Sequence, residues 1–220
     1  MSLARKDRMG ERAGRSKRQG RQIPEMGYYL IVTDTEATER CYFDGLRKNL
    51  PENIQRKLVL KVVETKTKNL IQKCREMTAY EAQYMIPWIV FDRDEVMDFD
   101  QIIEDAEREG IQVGWSNPCF EIWMHAYFGS MSSVQESWNC CHRFGELYEK
   151  KTGHRYSKSD ESIYNRLREY GDEGKAVTIA QQMYEQCVKN GYTKPSQMCP
   201  CTTVYELVKE IRGKEEIRKA

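Results

Sequence analysis

Gly27-Tyr28-Tyr29-Leu30-Ile31-Val32-Thr33 is a dense run of apolar and β-branched residues that breaks at once into Asp34-Thr35-Glu36-Ala37-Thr38-Glu39. A strand with one wet face alternates apolar and polar residues, whereas a strand covered on both faces reads as a continuous run like this one. Outward from it, Cys41-Tyr42-Phe43 and Leu46 carry helical spacing, with Thr38 or Thr35 as the expected cap and acidic residues suited to the first turn. Leu58–Val63 reads as a second strand, and Asn69 to Tyr84 places Leu70, Ile71, Cys74, Met77 and Tyr84 on one helical face. Trp88-Ile89-Val90-Phe91 is a third buried strand, ending at Asp92-Arg93-Asp94-Glu95. A helix through Ile102, Ile103 and Ala106 to Gly110 then leads to a fourth strand at Ile111–Trp115. Alternation of this kind predicts an α/β fold with a parallel sheet flanked by helices. Beyond Phe120 the pattern predicts helices alone, at Phe120–Phe128, Val134–Lys151, Glu161–Tyr170, Gly174–Asn190 and Thr202–Arg212. The expected organisation is a basic arm over residues 1–24 and one domain over 25–220. Within that domain the α/β core covers about 27–128 and a helical C-terminal extension about 129–212.

The chain has 220 residues, 40% of them hydrophobic and 31% charged, enough to bury a core without cross-links. No apolar run approaches the ~18 residues of a membrane span, and no hydrophobic segment follows the basic start, so membrane and secreted classes are not expected. The formal net charge of +1 conceals an asymmetry. Arg5, Lys6, Arg8, Arg12, Arg15, Lys17, Arg18 and Arg21 face only Asp7 and Glu11 in the arm, which leaves an acidic body. Such an arm is a solvated tail or an electrostatic hook for nucleic acid, with Arg12, Arg15, Lys17, Arg18 and Arg21 as the phosphate contacts. The 8 cysteines contain no Cys-x-x-Cys pair. Cys140-Cys141-His142 and Cys199-Pro200-Cys201, with His154 between them, are the nearest approach to zinc spacing. Their apolar surroundings favour buried, reduced thiols of a cytoplasmic protein.

Open parallel sheets bind ligands at the carboxyl ends of their strands. Two acidic clusters fall there: Asp34, Glu36 and Glu39 after the first strand, and Asp92 and Asp94 after the third. Either alone is what helix caps and first-turn acids supply. Both together favour a site for Mg²⁺ or Mn²⁺, because clustered carboxylates repel until a hard cation neutralises them. Ser116 and Asn117 are expected at the same rim, Pro118 in the first turn of the next helix, and Glu121 and His125 one turn apart toward the site. Lys158 is a candidate for offsetting charge on a phosphate. No Walker loop, Gly-x-Gly-x-x-Gly turn or Gly-x-Ser-x-Gly elbow is present, which removes NTPases, dehydrogenases and α/β-hydrolases from consideration.

In order along the chain stand Leu30-Ile31-Val32 with its acidic turn, Thr38-Glu39, Tyr42-Phe43 and Phe91-Asp92-Arg93-Asp94. After them come Ser116-Asn117-Pro118-Cys119-Phe120-Glu121-Ile122-Trp123, Tyr156-Ser157-Lys158 and Thr202-Thr203-Val204-Tyr205-Glu206-Leu207-Val208. This series resembles the RloB-like family of restriction-modification and abortive-infection loci, over about Gly27 to Arg212. The resemblance implies a Toprim-like fold in which an acid after the first strand and an Asp-x-Asp pair hold Mg²⁺; the matching positions are Asp34, Asp92 and Asp94. It further implies a nuclease acting on DNA or RNA in anti-phage defence, with an ABC/OLD-like ATPase as partner; a homo-oligomer stays open. Where the family has Cys-Glu-Gly-Glu, this chain has Thr33-Asp34-Thr35-Glu36, so the first acid is one methylene shorter. Two readings follow. Either Glu36 takes over as a ligand, or the chain is an inactive effector or sensor module that docks on the ATPase.

Overall fold

The chain forms β1 (Gly27–Thr33), α1 (Thr38–Asn49), α2 (Glu52–Gln55), β2 (Leu58–Glu64), α3 (Leu70–Tyr80), β3 (Ile86–Asp92), α4 (Phe99–Arg108) and β4 (Gln112–Asn117). It continues as α5 (Glu121–Ala126), α6 (Ser137–Thr152), α7 (Ile163–Tyr170), α8 (Glu173–Lys189), β5 (Cys201–Thr202) and α9 (Val204–Glu216). This computed structural model describes residues 27–34, 37–55, 58–80, 86–94, 96–131, 133 and 135–216. The basic arm, Thr35 and Glu36 lie outside the described residues.

The strands hydrogen-bond in the order β2-β1-β3-β4-β5. β1 pairs in parallel with β2 and β3, and β3 in parallel with β4. The expected α/β class and its mainly parallel sheet are therefore present. One expectation is overturned: strands do not stop at Phe120, because Cys201–Thr202 pairs antiparallel with Ser116–Asn117 and makes the sheet mixed. Two residues are too short for any periodicity, so this strand leaves no signal of its own in the sequence.

Why the central strands read as unbroken apolar runs is plain from their surroundings. Successive side chains point to opposite faces of the sheet, and both faces are covered. Tyr29, Ile31, Trp88 and Val90 pack with Tyr42, Phe43 and Leu46 of α1, Trp123 of α5, Leu167 of α7 and Leu207 of α9. Leu30, Val32, Ile89 and Phe91 pack on the opposite face with Leu70 and Cys74 of α3, Phe99 and Ile103 of α4, and Met198. α1 begins without the expected threonine cap. Ala37 occupies that position with no side-chain hydrogen bond, and Thr38 lies inside the helix. Pro118 is likewise not in the first turn of α5; it follows a cis peptide in the turn between β4 and α5.

Candidate metal site at the strand ends

β1 and β3 are hydrogen-bonded neighbours running the same way, so their carboxyl ends open onto one rim. Asp92 is the last residue of β3 and Asp34 follows the last residue of β1. Asp92 Oδ2 accepts the Phe120 N–H at 3.4 Å, from the entry to α5. Asp34 Oδ2 accepts the Thr67 hydroxyl at 3.2 Å, while its Oδ1 is buried with no hydrogen-bond partner. The turn beyond β3 is fastened to β4 and its exit: Arg93 N–H donates to the Ser116 carbonyl at 2.8 Å, and Asp94 N–H to that of Pro118 at 3.0 Å. Glu39, in the first turn of α1, is buried.

These acids lie in one another's electrostatic field. Burial and then the charge of Glu39 push the Asp34 carboxyl up to about 7, against the Thr67 hydroxyl, with Asp94 adding to the rise. Burial also holds Asp92 well above the carboxylate range, reinforced by Glu39, Asp34, Glu121 and Asp94. The other acids oppose ionisation of Asp34 and Asp92 until positive charge arrives. Asp34, Glu39, Asp92 and Asp94 are the oxygen donors that could hold Mg²⁺ or Mn²⁺, Glu39 buried, Asp34 and Asp92 partly buried and Asp94 exposed, but among the described residues no three of them have ligand atoms gathered within 4.8 Å of one another.

The rim continues into α5. Glu121 is buried, and its Oε1 accepts the Tyr156 hydroxyl at 2.7 Å. Lys158 Nζ stands 3.8 Å from the same oxygen, on an exposed side chain. Burial pulls the lysine down, but the charge of Glu121, with lesser electrostatic help from Cys141 and Asp92, holds it above the ordinary lysine value. Tyr156 is the residue whose part sequence reasoning missed. It was legible as a motif member, but nothing in the spacing says that it crosses 35 positions to hold Glu121. Its ring packs edge-on against Phe144 of α6, with centroids 4.8 Å apart, and its hydroxyl lies 3.4 Å from that of Thr38.

Three further candidates are engaged elsewhere. Ser116 and Asn117 belong to β4 itself and are fully buried. The Ser116 hydroxyl lies 2.9 Å from that of Thr202, and the Asn117 amide donates to the Pro195 carbonyl at 3.2 Å. His125 packs edge-on against Phe144 at 5.5 Å, and neither ring nitrogen has a hydrogen-bond partner. Burial pushes it down to about 4, against the Cys140 backbone beside it, so the imidazole is neutral at pH 7.

The cysteine spacing also resolves differently. His142 is exposed on α6, pairing with Glu146 at 3.8 Å and stacking on Trp138, while Cys201 lies beside Cys187. What comes together instead is Cys119, Glu121 and Cys141, whose ligand atoms all lie within 4.8 Å of one another. The Cys119-Phe120-Glu121 spacing was visible in the sequence. Its partner on α6 was not.

No helix among the described residues is long and apolar enough to cross a membrane. Comparison with curated proteins and with solved structures finds no match. A family model described as RloB-like protein matches residues 29–211, from the first strand through the last helix. By that match over most of its length, the chain belongs to the RloB-like protein family.

Proposed function

We propose that this RloB-like chain is a metal-dependent nuclease that hydrolyses phosphodiester bonds of DNA or RNA in anti-phage abortive infection, working with an ABC/OLD-type ATPase. The observation that carries the reading is the pair Asp34 and Asp92 at the ends of adjacent parallel strands. Each is held toward its protonated form by burial first and then by the other acids of the rim. A protein stores such repulsion at a functional site more readily than in a structural one. Asp34, Glu39, Asp92 and Asp94 bind the cation, and Tyr156 keeps Glu121 oriented toward the same rim. Bound there, Mg²⁺ or Mn²⁺ supplies Lewis-acid polarisation of a phosphate oxygen and an acidified water. Lys158, cationic and solvent-accessible, faces an incoming phosphate and offsets the charge that builds on it during cleavage. The arm, with Arg12, Arg15, Lys17, Arg18 and Arg21, adds sequence-independent phosphate binding that weakens steeply with salt.

Calorimetric titration of Mn²⁺ into the wild type and into Asp92→Asn/Asp94→Asn, followed by cleavage assays on labelled DNA and RNA with the partner ATPase present, tests the reading. Metal binding lost in the variant, with cleavage reduced by at least the ~10–100-fold that outer partners of a metal alone produce, supports it. The metal-free variant should melt no lower than the wild type, because asparagine relieves the repulsion and still accepts the Phe120 N–H. Millimolar Mn²⁺ should raise the melting temperature of the wild type alone. Absence of Mn²⁺ binding to the wild type would overturn the nuclease reading in favour of a docking module.

A further inference from the structure

The turn before α5 and the outer part of α6 bring two thiols and a carboxylate together beside the rim, in a combination the nuclease reading does not use. Cys119 Sγ and Cys141 Sγ are 3.8 Å apart, and the ligand atoms of Cys119, Glu121 and Cys141 all lie within 4.8 Å of each other. A tetrahedral ion with Zn–S bonds of about 2.3 Å separates two bound sulfurs by about 3.8 Å. The thiols are thus spaced as two vertices of such a site before any ion arrives. A disulfide would need them at about 2.05 Å, far inside the present separation. On Glu121, among the described residues, the Tyr156 hydroxyl at 2.7 Å and Lys158 Nζ at 3.8 Å both fall on Oε1. Oε2 carries neither contact and is the natural third ligand. Cys119 and Glu121 are buried, while Cys141 is partly exposed, which gives an ion a way in and leaves a fourth position for water.

We propose that Cys119, Cys141 and one oxygen of Glu121 form a binding site for a thiophilic dication, Zn²⁺ foremost, separate from the oxygen-only site at the strand ends. Donor chemistry divides the two sites. Thiolates select zinc over magnesium, and carboxylates without sulfur do the reverse. The sites meet at Glu121, whose field reaches Asp92, so an ion on the thiols also alters the charge felt by the rim. The proposal does not depend on nuclease activity, since it stands on the spacing of three side chains.

The test uses the full chain, reduced and stripped of metal with a chelator, then titrated with Co²⁺ and afterwards with Zn²⁺. Co²⁺ bound to thiolate gives a charge-transfer absorption in the near ultraviolet that Co²⁺ on carboxylates does not. The expected result is such a band, saturating at a single equivalent and bleached by Zn²⁺. It should vanish in Cys141→Ser and in Cys119→Ser and survive in Asp92→Asn/Asp94→Asn. Cys141 is the safer position because it is partly exposed, and an unchanged melting curve of metal-free Cys141→Ser shows that the loss is not unfolding. No charge-transfer band in the wild type, or a band that persists in both serine variants, would overturn the proposal. Mn²⁺ binding by Cys141→Ser should match the wild type, so failure of this site and failure of the nuclease reading give different results.

Discussion

Glu173 is buried at the start of α8 and yet stays ionised. Burial, the largest single cause, works to raise its pKa, but Arg212, Tyr164 and Arg168 together outweigh it, and the net result lies below the usual carboxylate value. Arg212 Nε and Arg168 Nη1 donate to Oε1 at 2.7 and 3.0 Å, and the Tyr164 and Tyr127 hydroxyls to Oε2 at 2.8 and 3.0 Å. Because the folded-state pKa is depressed, this network stabilises the fold at any pH above the unfolded carboxylate value. Its contribution is lost as pH falls through the folded one. Glu173→Gln replaces the buried carboxylate shared by Arg212 and Arg168 with a neutral amide and should cost about 3 kcal/mol in urea unfolding at neutral pH. The gap between variant and wild type should narrow as pH falls through the depressed folded-state value, below which both carry a neutral side chain; a gap independent of pH would refute this account. Among residues, the placement of Asp34, Asp92 and Asp94 at or just past a strand end was legible from sequence, because it depends on one strand alone. The contacts of Glu173 and the Tyr156–Glu121 bond were not, since their partners arrive from elements far along the chain.

At the scale of elements, α1 and α7 approach so closely that Gly45 has no room for a side chain. A Cβ there would lie 2.5 Å from the Cβ of Tyr164. Alanine would gain about 1 kcal/mol in helix propensity. It would also force apart a contact that includes Tyr42 and Tyr164, whose rings meet edge-on at 5.2 Å. Overpacking of that kind costs about 1–3 kcal/mol, so Gly45→Ala should lower the melting temperature, and an unchanged or higher value would show that α7 can move away. The long elements were readable because their apolar spacing is forced by burial on a known side. β5 and the turn holding Pro118 were not. Both are fixed by hydrogen bonds between distant backbone groups, such as Thr203 N–H to the Trp115 carbonyl at 2.8 Å, and these leave no periodicity in either strand.

Across the whole molecule, the C-terminal segment returns to the sheet instead of standing off it. The Trp115 N–H donates to the Thr203 hydroxyl at 3.0 Å, and the Tyr29 hydroxyl donates to Glu210 at 2.5 Å, across 181 positions. Leu207, Val208 and Ile211 complete the face of the core that holds Tyr29 and Trp88. Removing residues 201–220 strips β4 of its neighbour and uncovers that face. The shortened chain should lose its cooperative thermal transition, as followed by circular dichroism, and a retained sharp transition would show that the sheet is stable without its last strand.

The same return path bears on how the protein is made. At about 5–20 residues per second, synthesis from Asp94 to Lys158 takes on the order of several seconds. During that time the acidic strand ends exist without Glu121 secured by Tyr156, without the lysine, and without the strand that closes the sheet. A chain of this design acquires its site last. On the proposed reading, a nascent or prematurely terminated product lacks the lysine that offsets phosphate charge, even though Asp34, Glu39, Asp92 and Asp94 are already in the chain.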